Sequence, residues 1–273
     1  MNETLTLSRH RLQTFLICQR RFQLRYLKRL SWPESPLSRE VEVAIERGQR
    51  FHQLLERHFL GLPPASGAIE DAELQRWWTL FEQSGPALPA GRALAEVSLT
   101  VPTGRHLLTG RFDLLVVGED DSGEPFAHVL DWKTGQPPDE SQLRQDWQTR
   151  LYLALLAQGG RALWPGNRAP GPDYIAITYW YVTDPAVPRT IHYSQAWHRQ
   201  NWAEIETLVA RIDAQLAAGD WPLTDNWDHC RHCAYQVYCG RQSAGQPGPP
   251  ALQTDSTNDE EEDVETWLEP EMP

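Results

Sequence analysis

Along this chain the spacing of apolar residues changes period twice, and that change restricts the fold more than any other feature. From Glu40 to Leu60, the residues Val41, Ala44, Ile45, Gly48, Phe51, Leu55 and Phe59 recur at helical spacing, with His52 beside the stripe. From Ala95 to Val101 the period drops to two, because Ala95, Val97, Leu99 and Val101 alternate with Glu96, Ser98 and Thr100 as in a half-buried strand. Leu107 to Val117 and Phe126 to Lys133 are further apolar runs joined by GEDDSGEP, a reversing loop, which predicts an antiparallel meander. Helical spacing returns from Ser141 to Gln158 through Leu143, Trp147, Leu151 and Leu155, with Gly159-Gly160 as its stop. Tyr174 to Val182 and Thr190 to Tyr193 predict a strand pair, and Gln195 to Ala218 a last long helix; Gly61 to Leu88 reads as loop and short helix. Helix, three strands, helix, strand pair, helix is the order of an α/β fold with a mixed central β-sheet flanked by helices.

With 273 residues, 40% of them apolar, the chain has enough material for one sizeable core. It has no apolar run of membrane-spanning length, and MNETLTLSRHRLQTF lacks the layout of a secretory signal, so a cytoplasmic protein with no membrane partner is expected. The net charge of −12 is unevenly spread: nine Asp or Glu lie between Gln242 and Pro273, leaving −12 + 9 = −3 for the rest. Between Arg9 and Arg29, by contrast, Arg9, Arg11, Arg20, Arg21, Arg25, Lys28 and Arg29 meet no acidic residue. Such a stripe either attracts phosphate or forms a solvated helix face. From Ser243 the Gly/Pro-rich and then acidic composition predicts disorder, within which Trp267-Leu268 is either a docking motif or an incidental apolar pair.

The sharpest chemistry lies on the second and third strands. Asp113 ends GRFD, and Asp131 and Lys133 lie in LDWKTG, where strand alternation turns both to one side and Trp132 to the other. Two carboxylates converging at neighbouring strand ends repel unless a cation joins them, and oxygen ligands select Mg2+ or Mn2+. An ammonium two residues on can hold an attacking water and offset charge developing on a phosphate. The chain has twenty-three Arg and only two Lys, one of them at 133, and a compact ammonium suits water activation better than a guanidinium. Taken alone, Asp-x-Lys is also compatible with an ordinary strand end. Gln148 and Tyr152, four apart on the next helix, share a face distinct from the apolar stripe. Glu96 faces inward on the first strand, without a motif to fix it.

Together, Gly48 to His52, Gly110 to Asp113, Asp131 to Lys133 and Gln148 to Tyr152 form GxxxH, GxxD, DxK and QxxxY in sequence. This set resembles the PD-(D/E)xK nuclease superfamily, specifically its RecB-like branch, over roughly 47 to 152. The resemblance implies a restriction-endonuclease-like core in which His52, Asp113, Asp131 and the Trp132 carbonyl ligate the catalytic Mg2+ or Mn2+. It further implies that Lys133 positions the water and that Gln148 and Tyr152 contact the DNA strand. Arg20 and Arg21 become candidate DNA contacts from the basic stripe.

Cys18 stands alone, whereas Cys230, Cys233 and Cys239 form CxxCx5C. On spacing, structural Zn2+ (with His229 and His232 near), an iron-sulfur cubane and inert thiols all remain open. One Cys ahead of the core and three behind it is similar to AddB-type nucleases and to the CRISPR-associated iron-sulfur exonucleases, which implies a 4Fe-4S cluster, or alternatively Zn2+, on Cys18, Cys230, Cys233 and Cys239. Such a centre would be an iron-sulfur staple joining the N- and C-terminal segments. The expected organisation is a basic segment at 1–39, a nuclease core at 40–220, a cysteine segment at 221–242 and a disordered acidic tail at 243–273. The expected function is a metal-dependent deoxyribonuclease, a single-strand or end-directed exonuclease of DNA repair, recombination or CRISPR adaptation. A helicase or CRISPR adaptation proteins are its expected partners. The alternative is a nuclease-fold DNA-binding or assembly subunit with little catalysis.

Overall fold

Side-chain caps fix most helix starts: Ser38, Asp71, Asp139, Asp146 and Ser194 each accept a backbone N–H from the turn they precede. The computed structural model describes residues 4–31, 38–64, 67, 69–164 and 168–242, so the acidic tail and Trp267-Leu268 lie outside the described residues. The elements in order are β1 (Thr6–Leu7), α1 (Arg9–Ile17), α2 (Gln19–Phe22), α3 (Arg39–Phe59), α4 (Ala72–Ser84), β2 (Arg92–Thr103), β3 (His106–Glu119), β4 (Pro125–Lys133), α5 (Glu140–Gln145), α6 (Trp147–Gly159), β5 (Ile175–Tyr181), β6 (Arg189–His192) and α7 (Gln195–Ala218).

The six strands form one mixed sheet in the order β1-β3-β4-β5-β6, with β2 paired to β3. The meander β2-β3-β4 is antiparallel, as the reversing loop requires, and β5-β6 is antiparallel too. The β4–β5 pair is parallel, and its crossover is made by α5 and α6, because parallel neighbours need a connection of that length. Helices cover both faces. One core joins α1, α6 and α7 to the sheet through residues such as Leu12, Phe112, Leu155 and Ile205. The other joins α3 and α4 through Phe51, Leu55, Trp78 and Phe81 to Trp132 and Trp180.

Three expectations need correction. The helix read from Ser141 to Gln158 is two, because the Asp146 carboxylate accepts from the Gln148 amide at 2.7 Å and starts a new helix. That second helix is buried on nearly every side, beyond the single stripe of Leu143, Trp147, Leu151 and Leu155 that the spacing gave. In α3, burial begins at Gly48, and Ala44 is exposed.

The segment around Arg20 to Leu30 meets the segment from Trp221 to Tyr235. Phe22 stacks on Trp221 at 5.9 Å, the Arg20 amide donates to the Pro222 carbonyl at 3.2 Å, and the Tyr235 hydroxyl donates to the Leu30 carbonyl at 2.9 Å. The N- and C-terminal segments are thus joined by packing and hydrogen bonds. Among the described residues no helix is long and apolar enough to cross a membrane.

Candidate active site

The site lies where two paired strands part. The β3–β4 ladder ends at Leu114–Leu130, and β3 then continues beside β2 while β4 continues beside β5. Asp113 and Asp131 are the first residues beyond that last pair, one on each arm of the fork. The Trp132 amide, which the parting strands would leave without a partner, donates to Asp113 Oδ2 at 2.9 Å. Alternation behaves as expected: the Trp132 ring stacks on Phe59 at 5.7 Å within the α3–α4 core, and Asp131 and Lys133 turn to the other side.

Helices close the fork from both faces. From α3, His52 Nδ1 lies 3.3 Å from Asp113 Oδ2. From α6, Gln148 Nε2 donates to Asp131 Oδ2 at 2.6 Å, while Lys133 Nζ donates to Gln148 Oε1 at 2.9 Å. Lys133 Nζ also lies 2.9 Å from Asp131 Oδ1, but that fully buried oxygen accepts no hydrogen bond of good geometry. Burial lifts Asp131 to about 6, against the pull of Lys133 and with a push from Asp113. For Asp113 burial also acts upward, yet the His52 imidazole, the Trp132 amide and Lys133 together hold it below the usual carboxylate range.

These groups fit a divalent cation. The fully buried Asp131 and the partly buried Asp113 face one fork, and carboxylate oxygens are the donor set a hard ion uses. Among the described residues no three His, Cys, Asp or Glu side chains, the four thiols included, are arranged as an assembled ion cage; at the fork the acids are turned to His52, Gln148 and Lys133 instead.

Gln148 and Tyr152, expected to touch DNA, have internal partners. Gln148 bridges Asp131 and Lys133, and the Tyr152 ring packs edge-on against Phe112 at 4.9 Å. A Cβ added at Gly110 would meet Tyr152 Cε1 at 3.0 Å, so the glycine of GxxD and the tyrosine of QxxxY are a packing pair.

Glu96 belongs to the site, and strand reading alone did not establish it. It carries φ 53° within β2, opposite Asp113, and both strands change face there: Val97 and Phe112 line one core, Ala95 and Leu114 the other. The Arg111 Nε lies 3.1 Å from Glu96 Oε2. Burial first, then Asp113 and Glu56, raises Glu96 to about 8, against the pull of Arg111 and His52. Arg111 and Glu56 had no sequence signal beyond neighbouring a motif residue.

The four cysteines, all free thiols, line one recess with Arg21, His229 and Tyr235. Burial raises the Cys230 thiol, opposed by Arg241 and assisted by Cys233 and Cys18; Cys239 is raised likewise. Cys18 is brought there by the start of α2, Cys230 by the end of the short helix Trp227–Cys230, and Cys233 and Cys239 by the turns that follow it.

A sheet fork with two acids, a lysine and a facing histidine is the candidate active site of this chain. The model of the PD-(D/E)XK nuclease superfamily matches residues 6–240, and the chain belongs to that superfamily. Members are nucleases that generally use Mg2+ or Mn2+, with DNA as the substrate the family implies. Among solved structures, an inferred exonuclease from Eubacterium rectale is similar at TM-score 0.51 and 11% identity, with 91% of this chain and 92% of that one covered. That likeness is one of fold. The protein SSO0001 aligns at TM-score 0.37 and 14% identity over 89% of each chain, too distant to bear on the argument. No curated protein matches the sequence.

Proposed function

We propose that this protein is a Mg2+- or Mn2+-dependent deoxyribonuclease of the RecB-like branch, directed at single strands or free ends. The observation that carries the reading is the fork, where two acids, one of them fully buried, face each other across parting strands beside a fixed ammonium. His52, Asp113 and Asp131 would hold the ion, which supplies positive charge to the phosphate undergoing displacement. Lys133, oriented by Asp131 and Gln148, would hold the attacking water and offset developing charge. End-directed action, and a place in repair, recombination or CRISPR adaptation beside a helicase or adaptation proteins, follow from the resemblance of the motifs. Cys18, Cys230, Cys233 and Cys239 would hold a 4Fe-4S cluster or Zn2+; support comes from their shared recess.

The test is cleavage of end-labelled single- and double-stranded DNA in Mn2+ by the parent and by Asp113→Ala, Asp131→Ala and Lys133→Ala. Loss of cleavage in all three, with circular dichroism unchanged, is expected. Equal cleavage by all three would remove the reading, and tight DNA binding in EDTA without cleavage in Mn2+ would favour a binding or assembly role.

A further inference from the structure

The cysteine recess is surrounded by more positive charge than four thiols require. Arg21 lines it, and its Nε is buried without a hydrogen-bond partner among the described residues. Arg241, held over the Trp227 ring at 4.0 Å, has its Nη1 buried and without a partner in the same way, and it bears directly on Cys230. Arg20 differs, since its Nη1 donates to Gln23 Oε1 at 2.7 Å and its guanidinium lies over Tyr238. A buried guanidinium N–H without an acceptor is costly, and two of them beside one recess call for an anionic acceptor there. Neutral thiols are weak acceptors without charge. Four thiolates on a metal are different, because the centre carries a net charge of about −2 whether it is Zn2+ or an oxidised 4Fe-4S cubane.

We propose that Arg21 and Arg241 are the counter-cations of a four-cysteine metal centre, their buried N–H groups donating to its sulfurs. The proposal rests on the centre assigned above and adds what holds it. It gives Arg21, a member of the basic stripe, an inward task in place of the expected phosphate contact. Groups that hydrogen-bond metal ligands tune retention of the metal, and their removal weakens it by about 10- to 100-fold.

The experiment measures iron and zinc per chain and visible absorbance in the full chain purified under reductant, then the rate of metal release to a chelator. Visible absorbance with iron identifies a cluster; a colourless zinc protein identifies the other source. Arg21→Gln and Arg241→Gln are expected to release metal about tenfold faster than the parent, with Arg21→Lys between them and the parent. Arg231→Gln, an exposed neighbour paired with Asp228, controls for general charge loss and keeps the parent rate. Parent-like release from both Gln variants overturns the assignment. So does parent-like release from Arg21→Gln together with a salt dependence of single-strand DNA binding reduced by about one unit, the mark of a lost phosphate contact. A parent chain carrying neither metal removes the centre itself, a failure distinguishable from that of the two arginines.

Discussion

Replacing Lys133 by Met keeps the length of the side chain and removes the one ammonium that faces Asp131. Because Asp131 is fully buried, its carboxylate cannot recover the loss from water; it can only take up a proton. That limits the cost. With the folded carboxyl at about 6, keeping it ionised at about pH 7.5 is favoured over protonation by about 1.5 pH units, or about 2 kcal/mol. Lys133→Met should therefore destabilise the metal-free chain by about 2 kcal/mol at about pH 7.5. The sign with pH follows from the same shift. A carboxyl whose folded value lies above its unfolded 3.8 contributes stability that is lost as pH rises from 3.8 to about 6. Near pH 5.5 the parent already carries the proton, and the penalty should shrink below about 1 kcal/mol. A divalent ion in the fork supplies the missing charge, so saturating Mn2+ should remove most of the penalty at about pH 7.5 as well. Urea unfolding followed by Trp fluorescence in EDTA and in Mn2+ reads all three cases. An equal penalty under all three conditions would refute the charge-balance argument.

Three further outcomes follow from particular contacts. Gly110→Ala forces a methyl against the Tyr152 ring and Leu155 Cδ1, at 2.9 to 3.1 Å, and should cost about 1–3 kcal/mol; an unchanged melting temperature would contradict the packing role of the glycine. Glu96→Gly should be about 1 kcal/mol more stable than Glu96→Ala, because both lose the carboxylate but only Gly accepts φ 53° without strain, and equal stabilities would dismiss that strain. Trp221→Ala removes the ring stacked on Phe22 and edge-on to Phe15, and should lower stability by about 3–5 kcal/mol in urea unfolding.

The sequence made the two arms of the fork readable because each obeys a local rule. Alternation alone turns Asp131 and Lys133 away from Trp132, and the meander order alone makes β3 and β4 neighbours. What alternation could not show is its own interruption. Ala95 to Val101 reads as one regular strand, yet the left-handed turn at Glu96 changes the face and brings that carboxylate toward Asp113. Only contacts distant in sequence, with Arg111 and His52, mark the position. The role of Asp146 was hidden for the opposite reason: helical spacing runs through it, and a cap inside a periodic stretch leaves the period intact. The grouping of Cys18 with the other thiols depends on Phe22 meeting Trp221 across the whole chain, and no local pattern encodes that contact. For Gln148 and Tyr152 the spacing gave the shared helix, but burial of that helix on nearly all sides decides that they face Asp131, Lys133 and Phe112.

Titration of the metal-free chain with Mn2+ asks for the ion itself. The parent should bind one ion at the fork, weakened at least about tenfold in both Asp113→Asn and Asp131→Asn, with DNA cleavage lost in parallel. Parent-like Mn2+ affinity in both variants would contradict an ion at the fork.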